Sequence, residues 1–345
     1  MAVYTTIDDS EAYFQVKLWS GNSSTQAITF DGETDMEPTW VWGKQRGGTQ
    51  HHQLCDQVRG ANKMLFTSSD DNEESDSDIL NSFDSNGFTV GYQDQLNDTG
   101  QTYVAWCWKG GGSGSSNSEG DITATVSADT TAGFSLIKFT GNGSTSQSVG
   151  HGLNGTPKLW MIKNLTDDST DLTMYFEGTD RIKLTTSETM EQNYLMSASS
   201  TTITTPSDAG ATWGNTASKD YLIWAWQNVQ GFSKFGNYVG NGNTNGTYVY
   251  LGFSPAMVMI KGYNTENWHI YDNKRDVGNP TDKALQPNSN TQTEFTETNV
   301  LDFLSNGFKL GLSGSGHNGS GTEYLYWAFA ESPFVNSKGV PNNAR

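Results

Sequence analysis

Much of what would announce an enzyme, a membrane protein or a nucleic-acid binder is scarce in this sequence. Only two of its 345 residues are cysteine, so a disulfide framework does not carry the fold. Lys and Arg number 20 against 38 Asp and Glu, a net charge of −18. Without a basic stripe to neutralise phosphates, nucleic acid is excluded as a partner, and anionic membrane surfaces are disfavoured with it. No apolar run approaches the roughly 20 residues that cross a bilayer, so membrane insertion is not expected. The opening "MAVYTTIDDSEAYF" has no basic segment followed by an apolar one, and no secretory signal is read there. The sequence has no G-x-S-x-G, no H-E-x-x-H, no P-loop and no Cys/His metal spacing. Its five histidines are scattered, and the adjacent His51 and His52 would point to opposite faces of a strand. His269, next to Trp268, reads as a packed polar residue. No catalytic residue is assigned, and the chain is expected not to be an enzyme.

What is present is a polar, turn-rich composition. Thirty-eight glycines, 34% hydrophobic residues and 12% aromatics describe short strands joined by many turns, an all-β chain. One aromatic heptad occurs three times, as "YVAWCWK" (Tyr103 to Lys109), "YLIWAWQ" (Tyr221 to Gln227) and "YLYWAFA" (Tyr324 to Ala330). In an extended strand Tyr103, Ala105 and Cys107 share one face, and Val104, Trp106 and Trp108 the other. Both faces are apolar, which predicts a central strand covered on both sides. Cys107 falls where the other copies have Ala225 and Ala328, so it reads as a tightly packed free thiol, leaving Cys55 without a partner.

Other landmarks recur around the heptads. A Gly-Asn turn follows an early strand at Gly21-Asn22, Gly141-Asn142 and Gly240-Asn241. A Pro-initiated strand ending in Lys follows at Pro38 to Lys44, Pro157 to Lys163 and Pro255 to Lys261. The first and third copies share Asp-x-x-Arg (Asp56/Arg59 and Asp272/Arg275) and a hairpin around Asn86-Gly87 and Asn306-Gly307. The middle copy lacks both. These landmarks predict three tandem antiparallel β-sandwich, jelly-roll-like repeats of about 100 to 115 residues, each large enough for a core of its own. They occupy residues 1–112, 113–230 and 231–345. A Gly/Ser linker, expected to be flexible, opens the second, and an extended tail ends the third.

Candidate sites follow from residue type and position. Asp56/Arg59 and Asp272/Arg275 read as structural ion pairs. The acidic run from Ser68 to Asp78 offers Asp70, Asn72, Asp76 and Asp78 as weak calcium ligands, though it lacks the mid-loop Gly and terminal Glu of an EF-hand. No other cofactor is expected. Exposed loop residues suited to contact a partner are Tyr92, Trp213, Tyr263, Asn264 and Glu266, and the loops after the Pro-strands are candidate binding loops. The Asn-x-Ser/Thr sites read as turn chemistry rather than glycosylation sites.

The combination "TAGFSLIKFTGNGS", "GHGLNGTPKLWMIKN", "NWHIYDNKRD", "DFLSNGFKLG" and "GTEYLYWAFAESPF" resembles repeat units of structural and tail-fibre-like virion proteins of marine tailed bacteriophages, cyanophages among them. The resemblance implies a non-enzymatic virion component, assembled in the host bacterial cytoplasm. A tail fibre or fibre-associated protein for host attachment is the leading expectation. A capsid decoration or head-fibre protein is the alternative, and a bacterial carbohydrate-binding adhesin array a second one. The implied partners are other virion proteins, a host-surface glycan or protein, and further copies of the chain, with a homotrimer favoured.

Overall fold

The computed structural model describes residues 5–177, 180–191, 196–205 and 214–333. Within them the chain is an all-β sandwich protein, with helical turns at Ser10–Ala12 and Asp94–Asn97. In each repeat the heptad is the central strand, for a reason visible in its pairing. Thr102–Trp108 lies between Phe14–Ser20 and Trp40–Gln45; Asp220–Trp226 lies between Phe134–Thr140 and Leu159–Asn164; Glu323–Pro333 lies between Ser233–Val239 and Phe253–Gly262. All six pairings are antiparallel, and the registers correspond. Phe14 and Trp40 both pair with Trp108, just as Phe134 and Leu159 both pair with Trp226. Two apolar faces leave such a strand no place but the middle of a sheet covered on both sides.

One heptad face looks outward to a smaller sheet. In the first repeat Tyr103, Ala105 and Cys107 pack with Ile28, Phe88 and Val90, and in the second Tyr221, Ile223 and Ala225 pack with Val149 and Ile203. The other face behaves differently from expectation. Trp106 and Trp108, Leu222, Trp224 and Trp226, and Trp327 and Phe329 belong to one continuous core shared by all three repeats. Trp40 stands 6.0 Å from Trp224, 5.7 Å from Trp226 and 6.5 Å from Trp327 by ring centroid. Trp226 meets Trp327 at 4.6 Å, and Phe14 stacks on Phe329 at 4.9 Å. The expectation of a separate core for each repeat is therefore corrected: the inner faces complete one another. Each buried indole removes roughly 150–250 Å² from water, on the order of 4–6 kcal/mol of transfer free energy.

The Gly/Ser linker is also corrected. Ser115–Asn117 is an edge strand paired with Ala124–Asp129, and the Ser127 hydroxyl donates to Gly112 O at 2.6 Å. An edge strand needs backbone pairing on one side only, so polar residues without apolar alternation suffice. Cys55 and Cys107 are both free and buried. Burial pushes the Cys55 thiol up to about 12 and Cys107 well above its ordinary value, so neither is a reactive thiolate.

The repeated Tyr of the heptad and the repeated Gly-Asn turn are two ends of one device. The side-chain amides of Asn97, Asn215 and Asn318, all buried, each clamp that turn. Their Oδ1 atoms accept from Asn22 N, Asn142 N and Asn241 N at 2.9–3.0 Å, and their Nδ2 groups donate to Ser24 O, Ser144 O and Asn243 O at 2.6–2.9 Å. The next residue's N–H (Asp98, Thr216, Gly319) donates to the hydroxyl of Tyr103, Tyr221 or Tyr324 at 2.7–2.9 Å. Glycine is required at the turn because a Cβ on Gly21, Gly141 or Gly240 would lie 2.2–2.3 Å from the carbonyl oxygen that follows the clamp. Asn97 and Asn318, both Asn-x-Ser/Thr sites, are fully buried, so neither offers a glycan acceptor.

Candidate metal centre and the seams between repeats

The Asp-x-x-Arg pairs sit where a strand turns back, and both are wholly buried. Arg59 Nε meets Asp56 Oδ2 at 2.5 Å, and Arg275 Nε meets Asp272 Oδ2 at 2.5 Å. Each arginine also donates to a carbonyl of the strand before it, Leu54 O at 2.7 Å and Ile270 O at 2.8 Å. A glutamate completes each triad: Glu73 lies 3.6 Å from Arg59 Nη1, and Glu294 lies 3.4 Å from Arg275 Nη1. Two short strands are thus tied to their own turn by a buried, paired charge; in the first repeat Arg59 Nη1 and Glu73 Oε2 meet only as an ion pair, without a hydrogen bond.

The third-repeat triad is also a seam. The Trp106 indole donates to Asp272 Oδ2 at 3.2 Å, and the Arg275 guanidinium lies 5.5 Å from the Trp106 ring centre. Arg46 grips Glu294 with two bonds, at 2.9 and 2.7 Å. Burial alone would raise the Glu294 carboxyl; Arg46 and Arg275 outweigh it and hold the group below the usual carboxylate range. The Thr67 hydroxyl donates to Pro287 O at 2.6 Å across the same seam. Between the first and second repeats, Lys163 Nζ donates to Asp70 O at 2.9 Å, and Glu73 N to Leu165 O at 3.1 Å. Between the second and third, the Trp268 indole donates to Lys183 O at 3.1 Å. All three pairs of repeats touch, and the arrangement closes.

Most of the expected binding loops lie in these seams. The acidic run faces the loop after Lys163: Asn72 N donates to Asp168 Oδ1 at 3.2 Å and Asn72 Nδ2 to Thr166 O at 3.3 Å. Asp70 is engaged through its carbonyl, while Asp76 Oδ1 accepts the Asp78 amide at 2.8 Å. Among the described residues, Asp70, Asp76 and Asp78 form no group of three acidic ligands in reach of one another, and the segment's backbone bonds a neighbouring loop. Tyr263, Asn264 and Glu266 are half-buried. Asn264 donates to Ser315 O at 3.1 Å and Glu266 accepts from the Ser315 hydroxyl at 2.5 Å. Tyr92 is exposed, and Trp213 lies outside the described residues.

The lysine ending each Pro-strand is buried in every repeat, at Lys44, Lys163 and Lys261. Each ammonium reaches into the following loop: Lys44 Nζ to Gly48 O at 2.8 Å, Lys163 Nζ to Thr170 O, and Lys261 Nζ to Gly262 O and Asn264 O, both at 2.6 Å. Burial lowers all three to about 8.

A cluster that the sequence did not announce lies in the third repeat. His269, Glu297 and His317 each offer a ligand atom, and these atoms lie within 4.8 Å of one another. His269 is on the strand His269–Asp272, Glu297 on Phe295–Leu304 of the facing sheet, and His317 in the turn before Asn318. The Tyr271 hydroxyl stands between Glu297 Oε2, at 2.8 Å, and His317 Nε2, at 2.6 Å. The two imidazoles lie 4.4 Å apart by centroid and are almost fully buried. Burial lowers both, His269 to about 4 and His317 well below its ordinary value, and Gln286 Nε2 lies 3.3 Å from His269 Nε2.

A profile described as a domain of unknown function, DUF7483, matches residues 9–333. The chain belongs to this family. No curated protein and no solved structure matches the sequence. The DUF7483 match runs through all three repeats, so the closed arrangement, rather than a single sandwich, is the unit the family describes.

The long sequence gaps between His269, Glu297 and His317 hid the cluster. One signal was available: His269 and Tyr271 alternate on a strand and so share a face. Also missed was a pair of exposed tyrosines. Tyr248 and Tyr250 project from the edge strand Tyr248–Tyr250, 44% and 50% exposed, with Lys234 Nζ 5.2 Å from the Tyr250 ring.

Proposed function

We propose that the chain is a non-enzymatic structural protein of a tailed-phage virion, a tail fibre or fibre-associated protein that takes part in host attachment. The observation that carries this reading is the closure of three repeats on one aromatic core, with the Arg46–Glu294 ion pair and the Lys163-to-Asp70 carbonyl bond along the seams. Such a body has its polar groups committed to holding the repeats in fixed relation, which suits a load-bearing particle component. The likeness of the repeat motifs to marine phage virion proteins supports the particle, and the acidic surface suits high copy number without aggregation. The exposed tyrosines at 248 and 250 would supply a stacking surface for a host glycan. The proposal includes other virion proteins as partners and a homo-oligomer, a trimer first.

Immunogold labelling of purified virions with an antibody to this chain tests the proposal. Label along the tail or its fibres is the expected result. Label over the head would replace it with a decoration protein, and particles without label would overturn it in favour of a free adhesin.

A further inference from the structure

We propose that His269, Glu297 and His317 form a binding site for a divalent transition-metal ion, zinc foremost, with the Tyr271 hydroxyl or a water in the fourth position. The ligand types select the ion. Two imidazoles and one carboxylate suit zinc and its neighbours, whereas calcium and magnesium prefer all-oxygen shells. The spacing is close to that of a bound site. His317 Nε2 and Glu297 Oε2 lie 3.6 Å apart, against a tetrahedral edge of roughly 3.4 Å for metal–ligand bonds of about 2.0–2.2 Å.

A second observation is independent of that spacing. His269 Nδ1 is buried and makes no hydrogen bond of good geometry, its nearest help being the Asn267 backbone, in a ring that is 5% exposed. A buried polar atom so poorly met is costly, and metal ligation through the imidazole, with the ring reoriented, is one way to meet it. The Tyr271 hydroxyl donates to Glu297 Oε2 and meets His317 Nε2, which donates or accepts according to its tautomer, so one phenol oxygen already joins two of the three ligands. Access is through Glu297, whose side chain is 31% exposed.

The site belongs to the third repeat alone. Aligned on the shared Asp-x-x-Arg and clamp Asn, the first repeat has Gln53 where the third has His269, and Leu96 where the third has His317. A bound ion would join the two sheets of that repeat to the turn held by Asn318, so its effect is structural stiffening rather than chemistry on a substrate. The inference is independent of where on a particle the protein sits.

The test uses the full chain, stripped with a chelator and titrated with zinc chloride by calorimetry, with thermal unfolding followed in parallel. One equivalent bound and a higher melting temperature are expected. Glu297→Gln, at a half-exposed position, and His269→Gln, which installs the residue the first repeat already holds there, should each weaken binding by more than ~10-fold. Metal-free variants that melt cooperatively, like the metal-free parent, show that the fold survives. Absence of a one-to-one heat and of a melting shift would overturn the site. Binding unchanged in both variants would overturn it equally, by assigning the zinc to surface carboxylates.

Discussion

Arg46 and Glu294 form a two-bond ion pair between the first and third repeats, at 2.9 and 2.7 Å, with side chains 20% and 14% exposed. Breaking it leaves a mostly buried guanidinium without its carboxylate. Glu294→Ala is expected to destabilise the protein by about 2–3 kcal/mol in chemical denaturation. Arg46→Met combined with Glu294→Leu should recover part of that loss, because the Arg46 charge goes with its partner and only Arg275, whose Nε still holds Asp272, loses a carboxylate at Nη1. A single-variant change within about 0.5 kcal/mol would show that solvent, not burial, governs the pair.

A common core implies common unfolding. The full chain should melt in one transition rather than three, with calorimetric and van't Hoff enthalpies in agreement. Residues 1–112 expressed alone would expose Trp40, Trp106 and Trp108, and are expected to lack a cooperative transition and to bind a hydrophobic dye. A sharp independent melt from that fragment would refute the shared core.

The turn clamp predicts a sharp difference between near-isosteric residues. Asn97→Asp keeps the shape but replaces a donor to Ser24 O and Gly91 O with a carboxylate facing both carbonyls. It should cost more than Asn97→Ala, itself expected to cost about 2–3 kcal/mol. Equal losses for the two would mean that volume, rather than donation, is what the clamp supplies.

The buried lysines set a pH dependence. Lys44, Lys163 and Lys261 release their protons near pH 8 when folded and near 10.5 when unfolded. Between those values the unfolded chain binds more protons, so stability rises with pH, and the desolvation cost is felt fully below pH 8. Melting temperature should therefore increase from pH 7 to pH 9.5. Lys44→Met should remove about a third of that slope, since one of three equivalent groups is gone. A flat or falling profile would mean that the loop carbonyls keep the ammonium charged despite burial.

If attachment uses the exposed edge of the third repeat, Tyr248→Ser with Tyr250→Ser should lower adsorption to host cells while leaving the melting temperature nearly unchanged. Flat rings stack on such faces for about 1–3 kcal/mol per base in nucleic-acid binders, and a contact of that order at each tyrosine would give a 10-fold or greater loss. Unaltered adsorption would move the adhesive surface elsewhere.

The heptads, the Pro-strands and the Gly-Asn turns were legible because each is local: alternation places the faces, and proline and glycine punctuate them. Alternation could say that Trp106 and Trp224 were covered, but not by what. One side of a strand looks the same whether its cover is the chain's own small sheet or two other repeats. The linker misled for a related reason, since glycine and serine are as suited to a paired edge as to a free coil. At Asp56/Arg59 and Asp272/Arg275 a short spacing repeated in sequence was enough. His269, Glu297 and His317 come from two sheets and a turn, and only the folded register brings them within reach.

The shared aromatic core also sets a schedule for biosynthesis. Trp40 and Trp108 leave the ribosome long before Trp327, whose strand supplies their remaining cover. At typical elongation rates of about 5–20 residues per second, that interval is roughly 10 to 40 s. Phe134, Trp224 and Trp226 emerge within it and cover part of the indole-rich face of the nascent first repeat, which stays incomplete until Trp327 is made. Translation speed and chaperone occupancy therefore bear on the yield of this protein more than on one whose domains fold as they emerge.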